Sequence, residues 1–269
     1  MSEARATFLP RRGFGETTRR DTWWLQPAAI FLGLGAFVVY STWAALQNAN
    51  YEFGPYLSPL YSPLLFGTSP HAWFGGPDVP TWWPGVLPYS AALLILWAPG
   101  GFRFTCYYYR GAYYKSFWAD PPSCAVGEPR QNYRGEQWFP LVLQNVHRYF
   151  LYLALLFLVI LSYDVWLATR WPAPGGGTQV GAGLGTLILA VNVVLLSGYT
   201  LGCHSMRHLA GGMLDVMANR PVRRTAYVCS SALNRAHMRW AWASLFSVGF
   251  SDVYIRMCAM GYWSDLRLF

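Results

Sequence analysis

The sequence predicts an all-α integral membrane protein of five transmembrane helices, with its N-terminus cytoplasmic and its C-terminus outside. Three observations carry this prediction. The chain is 54% hydrophobic and only 12% charged, against about 25% charged in an average soluble domain. Its apolar residues fall into five segments of ~20 residues, the length that crosses a bilayer. The connections between those segments alternate between basic and almost charge-free, the bias that sets the orientation of membrane proteins.

The elements follow in order. Span one covers about 27–46, and Arg5, Arg11, Arg12, Arg19 and Arg20 before it hold the N-terminus inside. It is too long for the apolar part of a cleavable signal and lacks a small-residue cleavage site. The connection 47–84 contains no Lys or Arg and lies outside. Its stretch 53–84, rich in Pro, Gly and aromatic residues, reads as an ordered cap, because it lacks the polar character of a linker. Span two covers about 85–102 and contains Pro88 and Pro99, which blur its ends. The connection 103–146 carries Arg103, Arg110, Lys115, Arg130 and Arg134 and is cytoplasmic. Span three covers about 149–169 and is followed by Arg170 alone. Span four covers about 181–202, and its cytoplasmic connection carries Arg207, Arg220, Arg223, Arg224 and Arg235. Span five covers about 240–262. Trp23, Trp24, Trp82, Trp83, Trp171, Tyr199, Trp240 and Trp263 stand near span ends, where amphipathic rings prefer the headgroup layer. The whole chain, 1–269, is one membrane domain. Its net charge of +8 is a topological signal and does not point to nucleic acid. A secondary role in attracting an acidic partner or anionic lipid is compatible with it.

Side chains able to do redox chemistry gather at the cytoplasmic ends. Cys106, Cys124, His147, His204, His208 and His237 fall in, or just inside, connections that the charge pattern places inside. Of the five His, only His71 is outside. The run 103–118 holds Tyr107, Tyr108, Tyr109, Tyr113, Tyr114 and Trp118. It is an aromatic belt or, in the functional reading, part of an apolar pocket for a quinone ring with polar donors from His204 and Arg207. His204 and His208, at i and i+4, share one helix face and can bind metal or cap the helix end. Asp120-Pro121-Pro122-Ser123-Cys124 is a rigid turn. Inside the spans, Asp164, Asp252 and Arg256 are expensive to bury and are therefore functional candidates. They form a proton relay from the outer side or an Asp–Arg clamp between helices.

At 104–110, at Asn145-Val146-His147-Arg148-Tyr149-Phe150 and at Cys203-His204-Ser205-Met206-Arg207-His208-Leu209-Ala210-Gly211-Gly212 the chain resembles the single membrane anchor of actinobacterial-type succinate dehydrogenase, a succinate:menaquinone oxidoreductase. The likeness extends to the ending Trp263-Ser264-Asp265-Leu266-Arg267. It implies a flavoprotein and an iron–sulfur subunit as partners, a place in the tricarboxylic acid cycle and respiratory chain at the plasma membrane, and no activity for the chain alone. A small extra membrane subunit or a higher oligomer is compatible with this. The resemblance also implies a quinone, expected to be menaquinone. Better-known five-span anchors hold two haems b through four His, two towards each face. Here the first two spans lack His, which disfavours that arrangement. One haem on the cytoplasmic side through His147, His204, His208 or His237 is a weaker alternative. Two thiolates with two imidazoles suit a [2Fe–2S] cluster of Rieske type; Cys106 and Cys124 with His147 and His237 are the expected ligands, and His204 and His208 the alternates. A transporter or channel is the reading from another class. The inverted repeats and mid-membrane helix breaks of transporters are not evident.

Overall fold

The protein is represented by a computed structural model whose described residues are 13–86, 88–130, 137–139, 141–173 and 175–269. Arg5, Arg11, Arg12 and Arg134 of the charge pattern lie outside them. Among the described residues the chain forms eight α-helices: α1 (Leu25–Gln47), α2 (Trp97–Phe104), α3 (Tyr107–Phe117), α4 (His147–Leu167), α5 (Leu184–Leu201), α6 (His204–Gly211), α7 (Pro221–Asn234) and α8 (His237–Ala259). Two small antiparallel hairpins, β1 (Glu52–Phe53) with β2 (Tyr56–Leu57) and β3 (Arg170–Pro172) with β4 (Thr178–Val180), sit in the connections.

Among the described residues, three helical segments are both long and apolar enough to cross a membrane: Leu25–Gln47, Val142–Leu167 and Leu184–Leu201. They match the first, third and fourth predicted spans. α1 ends at Asn48, whose φ of 46° is the left-handed conformation that Asn tolerates at helix ends. α8 has 23 residues, ~34 Å of helix, but Arg239, Asp252 and Arg256 dilute its apolar character. The second predicted span differs most. Segment 85–102 is a 3₁₀ turn, Ala91–Leu94, followed by the eight-residue α2. Pro99 stands in the first turn of α2, the one helical location where its missing N–H costs little, so the α-helix cannot extend far upstream of it. The chain breaks again at Thr105 and Cys106 before α3.

Two compact units are defined by internal packing: 1–36 with 104–144, and 37–103 with 145–269. In the first, Gly15 N–H donates to Gly127 O (3.0 Å) and Gly127 N–H to Glu16 O (2.9 Å). Thr17 Oγ1 donates to Ala125 O (3.0 Å), and Arg19 donates to Ser123 Oγ (2.9 Å) and to Cys124 O (3.0 Å). In α3, Tyr113 stacks on Phe104 at 5.6 Å, and its hydroxyl accepts from Gln144 Nε2 at 2.9 Å.

The second unit is built on α5, which packs against α4 and α8. Gly198 makes this approach close: a Cβ there would come within 2.6 Å of the Trp240 ring. The predicted outer cap is ordered and more buried than a cap need be. All residues from 55 to 64 are buried, and Leu57, Leu60, Tyr61 and Leu64 form a core with Ala44, Ala45, Ala91 and Ala92. Tyr61 donates to Ala44 O at 2.8 Å and accepts from Asn48 N–H at 2.9 Å, satisfying groups that the end of α1 leaves open. The C-terminal tail closes the same side. Asp265 accepts from Tyr56 (2.7 Å), Tyr254 (2.6 Å) and the Gly185 N–H (2.9 Å), an anion at the N-terminus of α5.

Candidate functional site

The ends of α2, α4, α5 and α8 in the second unit build a stack of rings. Phe102 lies flat on the His147 imidazole, with centroids 4.7 Å apart and planes 6° apart. Tyr199 meets Phe102 edge-on at 5.4 Å and stacks on His237 at 5.1 Å. The Arg103 guanidinium carbon sits 4.7 Å from the Tyr199 centroid, a favourable cation–π placement. Arg103 is aimed there by donating to Ala241 O at 3.2 Å and Ser244 Oγ at 2.9 Å. Gly198, by admitting Trp240, brings the first turn of α8 onto the end of α5, so that His237 reaches the neighbouring Tyr199. Cys203, buried at the N-cap of α6, places its Sγ 3.0 Å from His147 Nε2.

Phe102 and Tyr199 also line a cavity of about 220 Å³ between α1, α2, α4, α5, α8 and the buried segment 55–64. Its walls are mainly apolar, including Phe37, Leu60, Ala154, Leu161, Leu196 and Val248; Ser41, Arg103, Tyr199 and Thr200 supply the polar groups. An apolar cleft with a few placed polar groups suits a flat amphiphilic ligand. The lining contains no His, Cys or Met.

The predicted site residues divide between the two units. Tyr107, Tyr108, Tyr109, Tyr113, Tyr114 and Trp118 belong to the first. Tyr109 and Tyr113 are buried, whereas Tyr107 and Trp118 are exposed. Burial pushes the Tyr113 phenol up to about 12, so it stays protonated at neutral pH. Cys106 is buried at the N-cap of α3, and Cys124 is exposed in its turn. His147, His204, Arg207, His208 and His237 belong to the second unit. Arg207 is clamped to α7, donating to Ser231 (3.2 Å), Asn234 (3.4 Å) and Tyr227 (3.1 Å). His204 and His208 touch each other, Nε2 to Nε2, at 3.0 Å. The His204 imidazole, though exposed, is held below its ordinary value by partial desolvation, then by His208 and Arg207.

Among the described residues no three His, Cys, Asp or Glu side chains gather to hold a metal ion. Of the expected ligands, Cys106 and Cys124 belong to the first unit and His147 and His237 to the second; Cys124 is exposed in its turn, and His147 Nε2 is directed at Cys203. Cys203 is the contact that sequence reasoning missed. Its adjacency to His204 argued against both acting as ligands to one centre, and only the fold shows which of the two turns towards His147.

The charges predicted to lie within the spans are buried and hydrogen-bonded. Asp252 accepts from Tyr40 at 2.5 Å, from Ser58 and from Arg256 Nε at 3.3 Å. Arg256 also donates to Ala49 O at 2.6 Å and Ala44 O at 3.4 Å, the open carbonyls at the end of α1. Asp164 accepts from Ser62. Two serines of one buried segment, Ser58 and Ser62, therefore hold the two buried acids.

Long apolar helices around a mainly apolar cavity define a helical integral membrane protein. The chain belongs to the family of actinobacterial succinate dehydrogenase subunit SdhC, which it matches over residues 25–261; it is the membrane anchor subunit of a succinate dehydrogenase. It is similar to a chain of the Mycobacterium smegmatis Sdh1 complex in the apo form, with 41% sequence identity, a TM-score of 0.84 and coverage of 99% of this chain and 97% of that chain. No curated protein matches it.

Proposed function

We propose that this anchor docks the flavoprotein and iron–sulfur subunits at its cytoplasmic face and passes electrons from succinate to a quinone, menaquinone by expectation, whose ring occupies the cavity beside Phe102, Arg103 and Tyr199. One observation carries the reading: Phe102 and Tyr199 serve both the stack and the cavity wall. A ligand against them is therefore one ring away from His147 and His237. Arg103 and Thr200 supply donors for quinone carbonyl oxygens, and the apolar walls take the isoprenoid chain. The quinone site expected among Tyr107, Tyr108, Tyr109, Tyr113, Tyr114, Trp118, His204 and Arg207 is the second reading. Its support is the density of aromatic rings in α3.

The reading includes five membrane passes with both arginine-rich connections inside, α2 contributing a broken second pass. It also includes a [2Fe–2S] centre at the inner end, supported by the Cys203–His147 contact and the nearby His237, which supply one thiol and two imidazoles. When bound, such a centre would relay single electrons. Iron and acid-labile sulfide in complexes carrying Cys106→Ala, Cys124→Ala or Cys203→Ala identify which thiols hold it; full content in all three refutes it. For protons, Asp164 is the proposed carrier on the outer side, where the membrane potential is worth about 2.3 kcal/mol per charge per 100 mV. Asp252 and Arg256, first candidates for the same relay, are better matched to a clamp.

Ala154→Phe tests the quinone placement by filling the cavity. The expected result is a loss of succinate:quinone reduction of about tenfold or more, with dye-linked succinate oxidation and subunit co-purification retained. Wild-type quinone kinetics in an assembled Ala154→Phe complex refute it.

A further inference from the structure

The exposed pair His204 and His208 is left unused by the stack and the cavity. The two residues stand one turn apart on α6, and their Nε2 atoms face each other at 3.0 Å. The helix that presents them is short but fixed at both ends and along its flank. Cys203 caps it at one end and Gly212 at the other. Arg207 bonds to Ser231 and Tyr227 of α7, and Arg223 of α7 donates to Ala210 O and Gly212 O, both at 2.8 Å. Neither imidazole has to be drawn into place from a mobile loop, so little ordering remains to be done on binding a ligand.

We propose that His204 and His208 form a two-imidazole site for a divalent transition metal, with Ni²⁺ and Cu²⁺ favoured over Zn²⁺. The argument is geometric. Imidazole nitrogens bind such ions at ~2.0–2.1 Å. With the nitrogens 3.0 Å apart, the N–metal–N angle is then ~94°. That is close to the right angle between neighbouring ligands of square-planar or octahedral ions. Tetrahedral coordination needs a separation of ~3.4 Å at the same bond length. Square-planar and tetragonal nitrogen sites are the habit of Cu²⁺ and Ni²⁺. Water completes the shell, because no third His, Cys, Asp or Glu joins the pair among the described residues. The guanidinium of Arg207, turned towards Tyr227, opposes a dication, so the ion is exchangeable and a chelator removes it. Both residues are exposed, and the neighbouring Cys203 contacts His147. A bound ion therefore sits two residue contacts from the buried stack.

The experiment uses the purified complex, treated with chelator and kept oxidised. Cu²⁺ is added to one equivalent and its paramagnetic resonance recorded, including the modulation from imidazole nitrogens. Ni²⁺ and Zn²⁺ are then compared as competitors. The proposal expects one bound Cu²⁺ with two imidazole nitrogens, reduced to one in His208→Gln with affinity lower by ~10-fold or more, since the second ligand's chelating effect is gone. It also expects Ni²⁺ to displace Cu²⁺ better than Zn²⁺ does. The Ni²⁺ result is the geometric signature, because Cu²⁺ leads at most nitrogen sites whatever their shape. Equal Cu²⁺ binding by wild type and His208→Gln overturns the proposal, as does Zn²⁺ outcompeting Ni²⁺. If the pair is only an N–H···N hydrogen bond, the wild-type complex shows no two-nitrogen copper signal, and that spectrum overturns the proposal even where the variant does not assemble.

Discussion

Replacing Arg256 by Met removes the cation from a site in which Arg256 is 1% and Asp252 0% exposed. Asp252 would keep its bonds from Tyr40 and Ser58 but lose its counter-ion. Ala49 O would lose its 2.6 Å donor, whereas Ala44 O would keep Tyr61. Breaking a buried ion pair by removing one partner costs about 3–5 kcal/mol. At roughly 2–4 °C per kcal/mol for a chain of this size, the melting midpoint should fall by ~10 °C. Asp252→Asn with Arg256→Met removes both charges together, so the double variant should be more stable than the sum of the single losses predicts, by ~1–3 kcal/mol. The assay is thermal melting of the detergent-purified complex, with assembled yield as a second readout. Arg256→Met melting within ~2 °C of wild type, a shift that corresponds to about 1 kcal/mol or less, would refute the clamp. So would an Asp252→Asn complex that assembles fully but turns over slowly and without response to uncoupler, the behaviour of a relay.

Other perturbations probe separate parts of the fold. Gly198→Ala should disturb the seating of Trp240, whose ring lies 2.6 Å from the added Cβ, with a cost of ~1–3 kcal/mol from overpacking; wild-type melting and Trp fluorescence would contradict this. Asp265→Ala removes the acceptor of three hydrogen bonds, and limited proteolysis should find the tail after Trp263 opened, whereas unchanged protection would contradict the latch. The lowered His204 value means that the unfolded chain binds more protons in the interval below 6.5. Folded stability therefore falls as pH drops through that interval, and His204→Gln should flatten the dependence of melting on pH between 5 and 7 (about the window set by an unperturbed His). An identical slope in the variant would contradict the assignment.

Three of the five predicted spans appear as long apolar helices because apolar residues run unbroken through α1, α4 and α5. The second was not a single helix because a hydropathy window averages over Pro88 and Pro99, while the backbone responds to each. The buried segment 55–64 was legible as ordered but not as core. Tyr, Ser and Pro look like loop residues until Asp164, Asp252 and the end of α1 provide their partners. The candidate site was legible as a set of residue types at one end of the helices. Its internal pairing was not, since His147 meets Cys203 across 56 positions and helix packing alone decides that contact. Gly198 and Gly101 were local signals of it: a Cβ at Gly101 would come within 2.3 Å of the Phe150 ring, and such glycines mark close helix contacts without naming the partner.

The central claim is that the quinone is reduced within the second unit, against Phe102 and Tyr199. A photoreactive menaquinone analogue, activated in membranes during succinate oxidation and mapped by peptide mass spectrometry, tests it most directly. Labelling at Ala154, Leu158, Leu161 or Leu196 of α4 and α5, suppressed by excess unlabelled quinone, is the predicted result. Suppressible labelling confined to α3 or to residues 65–84, with none on α4, α5 or the wall residues Pro59 and Leu60, would contradict it.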